Sequence, residues 1–235
     1  MNYKALLLTL IGFMVIMTAN GQLQDVSNED QYMRNTYIYL FIGAAIVLMT
    51  TQTAKQDFGL QQYILSNGGA VTNLMLMFFC LIVVMSITDD KSMIKHFAWT
   101  TFMVCVGLFM YMNIIFSDAG TVKNSLLTTF VLFISLSWFA YRLQTQVMSQ
   151  RYNLLFLLLC LIMFQIFYFN MSRNKNDQLT HQKTMGILTV ALFSGFMIYD
   201  TQYIKSRQSM DYSVDSLSLG IDILNLFVGA SVLYS

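Results

Sequence analysis

Residues 184–203 read TMGILTVALFSGFMIYDTQY, and residues 213–234 read SVDSLSLGIDILNLFVGASVLY. Each run matches the roughly 20 predominantly apolar residues that an α-helix needs to cross a bilayer. The short polar segment between them predicts an antiparallel transmembrane hairpin. Five more runs of this kind lie upstream, at about 36–54, 70–88, 97–116, 125–141 and 152–169. In hydrocarbon every backbone N–H and C=O must be satisfied within its own segment, so apolar runs of this length are helices. The expectation is an all-α membrane protein, a seven-transmembrane-helix bundle forming one domain over residues 36–235.

Composition agrees. Hydrophobic residues make up 56% of the 235 residues and charged residues only 11%, against about 25% charged in a typical soluble domain. So little charge cannot cover a water-facing surface, and the lipid bilayer is the first partner expected. A net charge of +1 with no basic block excludes a nucleic-acid surface. The chain has no proline, so its helices lack the commonest cause of a kink. Cys80, Cys105 and Cys160 fall in apolar runs without paired spacing and read as small core residues.

No enzyme is expected. His96 and His181 read as connecting-segment residues, which leaves no base within the membrane for a serine nucleophile. Two membrane aspartates could serve an aspartyl protease, but Leu219-Gly220-Ile221-Asp222 lacks the Gly-x-Gly-Asp context of presenilin-type proteases.

The beginning of the chain reads two ways. Lys4, the apolar stretch Ala5 to Thr18 and Ala19-Asn20-Gly21 form either a cleaved signal peptide or an additional membrane segment over residues 1–21. A polar N-terminal segment follows over 22–35. If the start of the first main helix is cytosolic, seven basic residues (Arg34, Lys91, Lys95, Arg142, Arg151, Lys205, Arg207) fall inside and five (Lys55, Lys123, Arg173, Lys175, Lys183) outside, a weak positive-inside lean.

Asp200 and Asp222 stand apart from the other acids because they lie inside apolar runs. An ionisable group there marks an ion or proton pathway, or a structural polar contact. The hairpin turn centres near Asp211, and each acid is eleven residues from it. Allowing for the turn, both sit roughly 12–14 Å along their helices at 1.5 Å per residue, so they face each other at one level. On the last helix Asp215, Ser218, Asp222, Asn225 and Gly229 share one stripe of polar or small residues. On its partner, Thr189, Phe193, Phe196, Asp200, Tyr203 and Arg207 place aromatic bulk on one side of the acid and polar groups on the other. Two adjacent carboxyls in a low-dielectric site cannot both ionise cheaply and titrate as a coupled unit. Once ionised they suit a transiently bound calcium ion, with Ser218 and Asn225 as further oxygen donors.

Gly195-Phe196-Met197-Ile198-Tyr199-Asp200-Thr201-Gln202 and Leu217-Ser218-Leu219-Gly220-Ile221-Asp222-Ile223-Leu224-Asn225-Leu226-Phe227 resemble the paired signature of the Bax inhibitor motif (TMBIM) family. Arg34-Asn35-Thr36-Tyr37 is similar to the family's entry into its first helix, and Tyr141-Arg142-Leu143-Gln144 to the end of its fourth. The resemblance implies seven helices with a cytosolic start and a pH-sensitive calcium leak gated at Asp200 and Asp222; the stripes themselves offer Asp215, Ser218, Asn225 and Tyr203 as supporting polar positions. It implies a membrane of the endoplasmic reticulum or Golgi first, with mitochondrial or bacterial plasma membranes also represented. It also implies restraint of cell death, through calcium or through death-regulating membrane proteins as partners. Some members place an arginine near the end of the second helix. Here that region reads Ser86-Ile87-Thr88-Asp89-Asp90-Lys91, and Lys91 is the expected substitute, a point charge without the arginine fork.

Overall fold

A computed structural model describes residues 28–88, 92–143, 151–171, 175–206 and 211–235. The stretch 1–21, residues 22–27 of the polar segment, and Lys91 lie outside the described residues. Eight helices are described: α1 (Asn28–Gln56), α2 (Phe58–Leu65), α3 (Asn67–Ser86), α4 (Met93–Ile115), α5 (Ala119–Arg142), α6 (Arg151–Met171), α7 (Lys175–Ser206) and α8 (Tyr212–Tyr234). Six of them contain a run long and apolar enough to cross a membrane: Tyr32–Gln56, α3, α4, α5, Thr180–Ser206 and α8. The seventh long helix, α6, spans 21 residues, with an apolar stretch over Tyr152–Gln165. This is the all-helical membrane fold that the apolar runs predict.

The differences lie at helix ends. α1, α4 and α7 begin at Asn28, Met93 and Lys175, several residues before their apolar runs. Backbone hydrogen bonding continues past the point where hydropathy stops, because polar first turns extend beyond the hydrocarbon. His96 and His181 are therefore helical, not in connections. The additional short helix α2 starts because Asp57, in extended backbone, caps it by accepting from the Leu60 N–H at 3.0 Å. It buries Ile64 against Ala54 and Tyr111, with Leu60, Leu108 and Met112 around them. Ser66 then ends α2 and caps α3 through the Gly69 N–H at 3.0 Å.

The chain divides into two compact units. The first holds the described residues up to Ile115 together with Lys205–Gly220; the second holds Phe116–Ile204 and Ile221–Ser235. In the first, α4 packs against both α1 and α3. Gly107 lets the α1 backbone close: a Cβ there would meet Thr50 Cβ at 2.7 Å and the Val47 carbonyl oxygen at 2.9 Å. The Thr51 hydroxyl uses that approach to donate to the Gly107 carbonyl at 2.9 Å. Asn73 of α3 donates to the Cys105 carbonyl at 3.1 Å. Cys80 and Cys105 are buried, as core residues should be, whereas Cys160 is exposed among the apolar side chains of α6.

In the second unit, α7 and α8 touch through glycine. A Cβ on Gly186 would lie 2.9 Å from the Gly229 carbonyl oxygen, and one on Gly229 would lie 3.2 Å from that of Gly186. Close backbone approach at small residues is a main source of helix association in lipid, where apolar burial alone gives no drive. Thr121 of α5 donates to the Tyr234 carbonyl at 3.0 Å, and Thr128 shares a hydrogen bond of 2.8 Å with the Tyr234 hydroxyl. The exposed side chains of α3, α5 and α6, among them Phe78, Phe79, Trp138, Phe156 and Leu157, are large and apolar, as lipid-facing surfaces are.

Two predictions follow from this packing. Gly186→Val and Gly229→Val should each destabilise the detergent-solubilised protein by about 1–3 kcal/mol through overpacking. Gly68→Ala, whose new Cβ meets nothing within 4 Å, should not, and thermal unfolding separates the two classes. Asp118 caps α5, accepting from the Gly120 N–H at 2.7 Å, the Thr121 N–H at 2.9 Å and the Thr121 hydroxyl. These bonds, that to the Thr121 side chain first, hold its carboxyl below the ordinary value of 3.8. A depressed folded-state value means that the stabilisation is complete above the unfolded value and fades as pH falls through the folded one. Asp118→Ala should therefore lower the melting point at neutral pH, and its difference from wild type should shrink only below about pH 4.

Candidate functional site

The hairpin that carries the acids is built from α7 and α8, and both aspartates belong to the second unit. Asp222 is buried and Asp200 half-buried. A side-chain hydrogen bond joins their carboxyl groups. A hydrogen bond between two carboxyls requires a proton on at least one of them. Asp222 Oδ2 is buried with no hydrogen-bond partner among the described residues, as is the hydroxyl of Thr201 beside Asp200. A buried oxygen without a donor is unusual in a folded protein and calls for a functional or solvent explanation.

The flanking residues do different things. Asn225 donates to the Ile221 carbonyl of its own helix at 2.8 Å, which satisfies an i−4 group rather than turning the amide toward the acids. Ser218 is half-buried on the same stripe. Tyr203 stacks on Tyr199, with ring centroids 6.0 Å apart and planes 14° apart. Phe193 and Phe196 contact at 5.6 Å, forming the aromatic side of the α7 stripe. Among the described residues no three His, Cys, Asp or Glu side chains converge as a metal cage.

Asp215, the remaining member of the predicted stripe, lies in the first unit and has its own partner. It is buried and accepts a hydrogen bond from the Tyr32 hydroxyl of α1. Tyr32 packs on Tyr212 at 4.9 Å, and Tyr39 packs on Tyr212, Trp99 and His96. The Trp99 indole donates to the Ser216 hydroxyl at 3.2 Å. One turn before Trp99 on α4, Lys95 is fully buried and pairs with Asp211 at 2.8 Å.

The chain matches the family model described as inhibitor of apoptosis-promoting Bax1 over residues 29–233. It belongs to this Bax inhibitor family. No curated protein matches it. The protein is a multi-pass integral membrane protein of that family.

Within this Bax inhibitor family chain, sequence reasoning placed Lys95 in a connection and looked for a basic residue at Lys91. The buried, described cation is Lys95, and its acid is Asp211 rather than the membrane pair. A signal for it was present. Lys95 and Trp99 are four apart and so share a helix face, provided α4 is allowed to begin before its apolar run.

The Tyr32 hydroxyl is the donor to the buried Asp215 carboxyl, so Tyr32→Phe removes a hydrogen bond to a charge-bearing group without changing the ring. Thermal or denaturant unfolding in detergent should show a loss of about 1–3 kcal/mol. Asp215→Asn in the Tyr32→Phe background should add less than it does in wild type, because the two groups act as one contact.

Proposed function

We propose that this protein is a pH-sensitive calcium leak, gated by the Asp200–Asp222 pair, in an intracellular membrane. The observation that carries this reading is the hydrogen-bonded carboxyl pair with an unpartnered buried oxygen on Asp222. With the shared proton in place, the two carboxyls attract and hold α7 to α8. Once it leaves, two negative charges face each other in a low-dielectric site, where repulsion is strong. A cation then relieves that repulsion, and a divalent one does so best. Calcium takes 6–8 oxygen ligands in its tight sites. Two carboxylates with nearby hydroxyl and backbone oxygens bind it weakly enough to let it pass on, as conduction requires. Calcium is thus cargo here, held transiently at Asp200 and Asp222 and driven by its own gradient. Modulated calcium release is also a direct physical route to an effect on cell death, the theme of the family's description.

A second reading is that the chain restrains apoptosis as an interaction scaffold, through death-regulating membrane proteins, without conducting ions. The large apolar side chains exposed on α3 and α6 would serve such contacts as well as they serve lipid.

Calcium flux into liposomes bearing purified protein decides between them. The leak should rise with pH as the shared proton is lost. Asp200→Asn together with Asp222→Asn should abolish that pH dependence, since a carboxamide pair has no proton to release. Flux unchanged in rate and pH profile in the double variant would sink the gate. No flux at any pH, with a stoichiometric partner from native membranes, would favour the scaffold.

A further inference from the structure

A serine or threonine hydroxyl inside a helix can satisfy itself by donating to the carbonyl one turn back. Thr36, Thr51, Thr72, Thr101, Ser125 and Thr184 all do so, at 2.7–3.2 Å. Two buried threonines do not. Thr129 of α5 and Thr201 of α7 are 5% and 1% exposed, and neither hydroxyl has a hydrogen-bond partner among the described residues. Both belong to the second unit, as does Asp222, whose Oδ2 is in the same condition. A hydroxyl withdrawn from water without a compensating bond is destabilising, yet these two forgo the bond that their own helix offers.

Thr129 stands on a polar face of α5. Thr121, Ser125 and Thr129 recur every four residues and all three are buried, whereas the neighbouring Leu127, Phe130 and Val131 are exposed. Contacts within the second unit give the depth of that face. The start of α5 meets the end of α8, where Thr121 donates to the Tyr234 carbonyl at 3.0 Å. Further along, Ser137 reaches the sulfur of Met197 at 4.0 Å, three residues before Asp200. Thr129 is eight residues from Thr121 and Asp222 twelve from Tyr234, about 12 Å and about 18 Å at 1.5 Å per residue. Thr129 thus lies between the membrane face at which α8 ends and the level of the two acids. That is near the middle of a hydrocarbon core of about 30 Å, where an unsatisfied polar group is most expensive.

We propose that Thr129 lines the path by which a hydrated cation travels between that membrane face and the Asp200–Asp222 pair, its hydroxyl bonding to the cation's water shell in transit. This rests on the leak reading above and adds to it a residue outside the acid-bearing hairpin. The chemistry suits the task. Calcium keeps oxygen ligands around it, water among them, and a neutral hydroxyl can both donate to and accept from that water. It does so without the charge that would hold the ion in place, and conduction requires sites weak enough to leave.

The experiment compares the full chain as wild type, Thr129→Val, Thr129→Ser, Thr129→Cys and Thr72→Val in liposomes, at a pH where wild type leaks. Valine has the shape of threonine and lacks the hydroxyl. Thr129→Val should lower calcium flux on the order of fivefold, the usual net worth of one hydrogen bond, and Thr129→Ser should keep most of it. Thr72 is exposed on α3 and bonded to the Gly68 carbonyl, so Thr72→Val should leak as wild type does. Thr129→Cys should react with a water-soluble cationic thiol reagent present on both sides of the membrane, above the background that Cys80, Cys105 and Cys160 give in wild type. Its flux should fall as it is modified. Should Thr129→Val fail to fold, Thr129→Cys carries the comparison. In a dry core the loss of an unpartnered hydroxyl stabilises, so a Thr129→Val variant that melts no earlier than wild type and leaks as much would make Thr129 a packing residue and overturn the assignment. So would a Thr129→Cys variant that stays unlabelled. Either result leaves the leak standing where Asp200→Asn together with Asp222→Asn still abolishes its pH dependence. Wild-type protein without flux at any pH would overturn the leak and the role of Thr129 in it together.

Discussion

A carboxyl group withdrawn from water without a partner is destabilising by several kcal/mol, and the last helix with its cap presents that problem three times. Asp211 at its start, Asp215 in its first turns and Asp222 at mid-helix are each met by a different element. An ammonium on α4 meets the first, a phenol on α1 the second, and another carboxyl on α7 the third. Each solution dictates packing. Lys95 and Trp99 bring α4 to the helix start, Tyr32 brings α1, and Asp200 makes α7 the partner of the deeper half. The glycines act in the same sense, since Gly186 and Gly229 allow the α7 and α8 backbones the proximity that short carboxyl side chains need to touch.

The three solutions differ in what they permit. An ion pair such as Lys95–Asp211 neutralises charge without a shared proton. The phenol of Tyr32 meets Asp215 as a neutral donor. Two carboxyls, by contrast, are held together only while they share a proton, and the repulsion between their charges spreads the release over two separate steps. Of the three contacts, the one between Asp200 and Asp222 joins two acids, and this is where the proposed leak places its proton. That difference lies in the chemistry of the partners, independent of any family analogy.

Much of this was legible in the sequence. Apolar run length identified the membrane helices, because the hydrocarbon core imposes both length and composition on whatever crosses it. Equal distances from the hairpin turn placed Asp200 opposite Asp222, because an antiparallel pair preserves depth. Hydropathy was poorer at the ends. It missed α2, whose existence depends on the Asp57 cap and the burial of Ile64, neither of which alters average polarity. It also left Lys95 and His96 outside α4. Lys95 was hidden for a further reason: a lysine at a membrane helix start ordinarily reaches for the interface, and only the three-dimensional arrival of Asp211 turns it inward. Stripe logic over-grouped as well. Asp215 and Asp222 share a helix face, yet they answer to different neighbours, since seven residues of helix separate them by about 10 Å.

Acids with such different partners on one helix also constrain how the protein could have been built. If Asp222 were merely a stabilising contact, an apolar pair of similar volume would serve as well or better, since buried polar pairs seldom exceed their apolar replacements in stability. The same holds for Lys95 and Asp211. Keeping a carboxyl pair at Asp200 and Asp222 has a physical rationale in the proposed leak, where that contact must break.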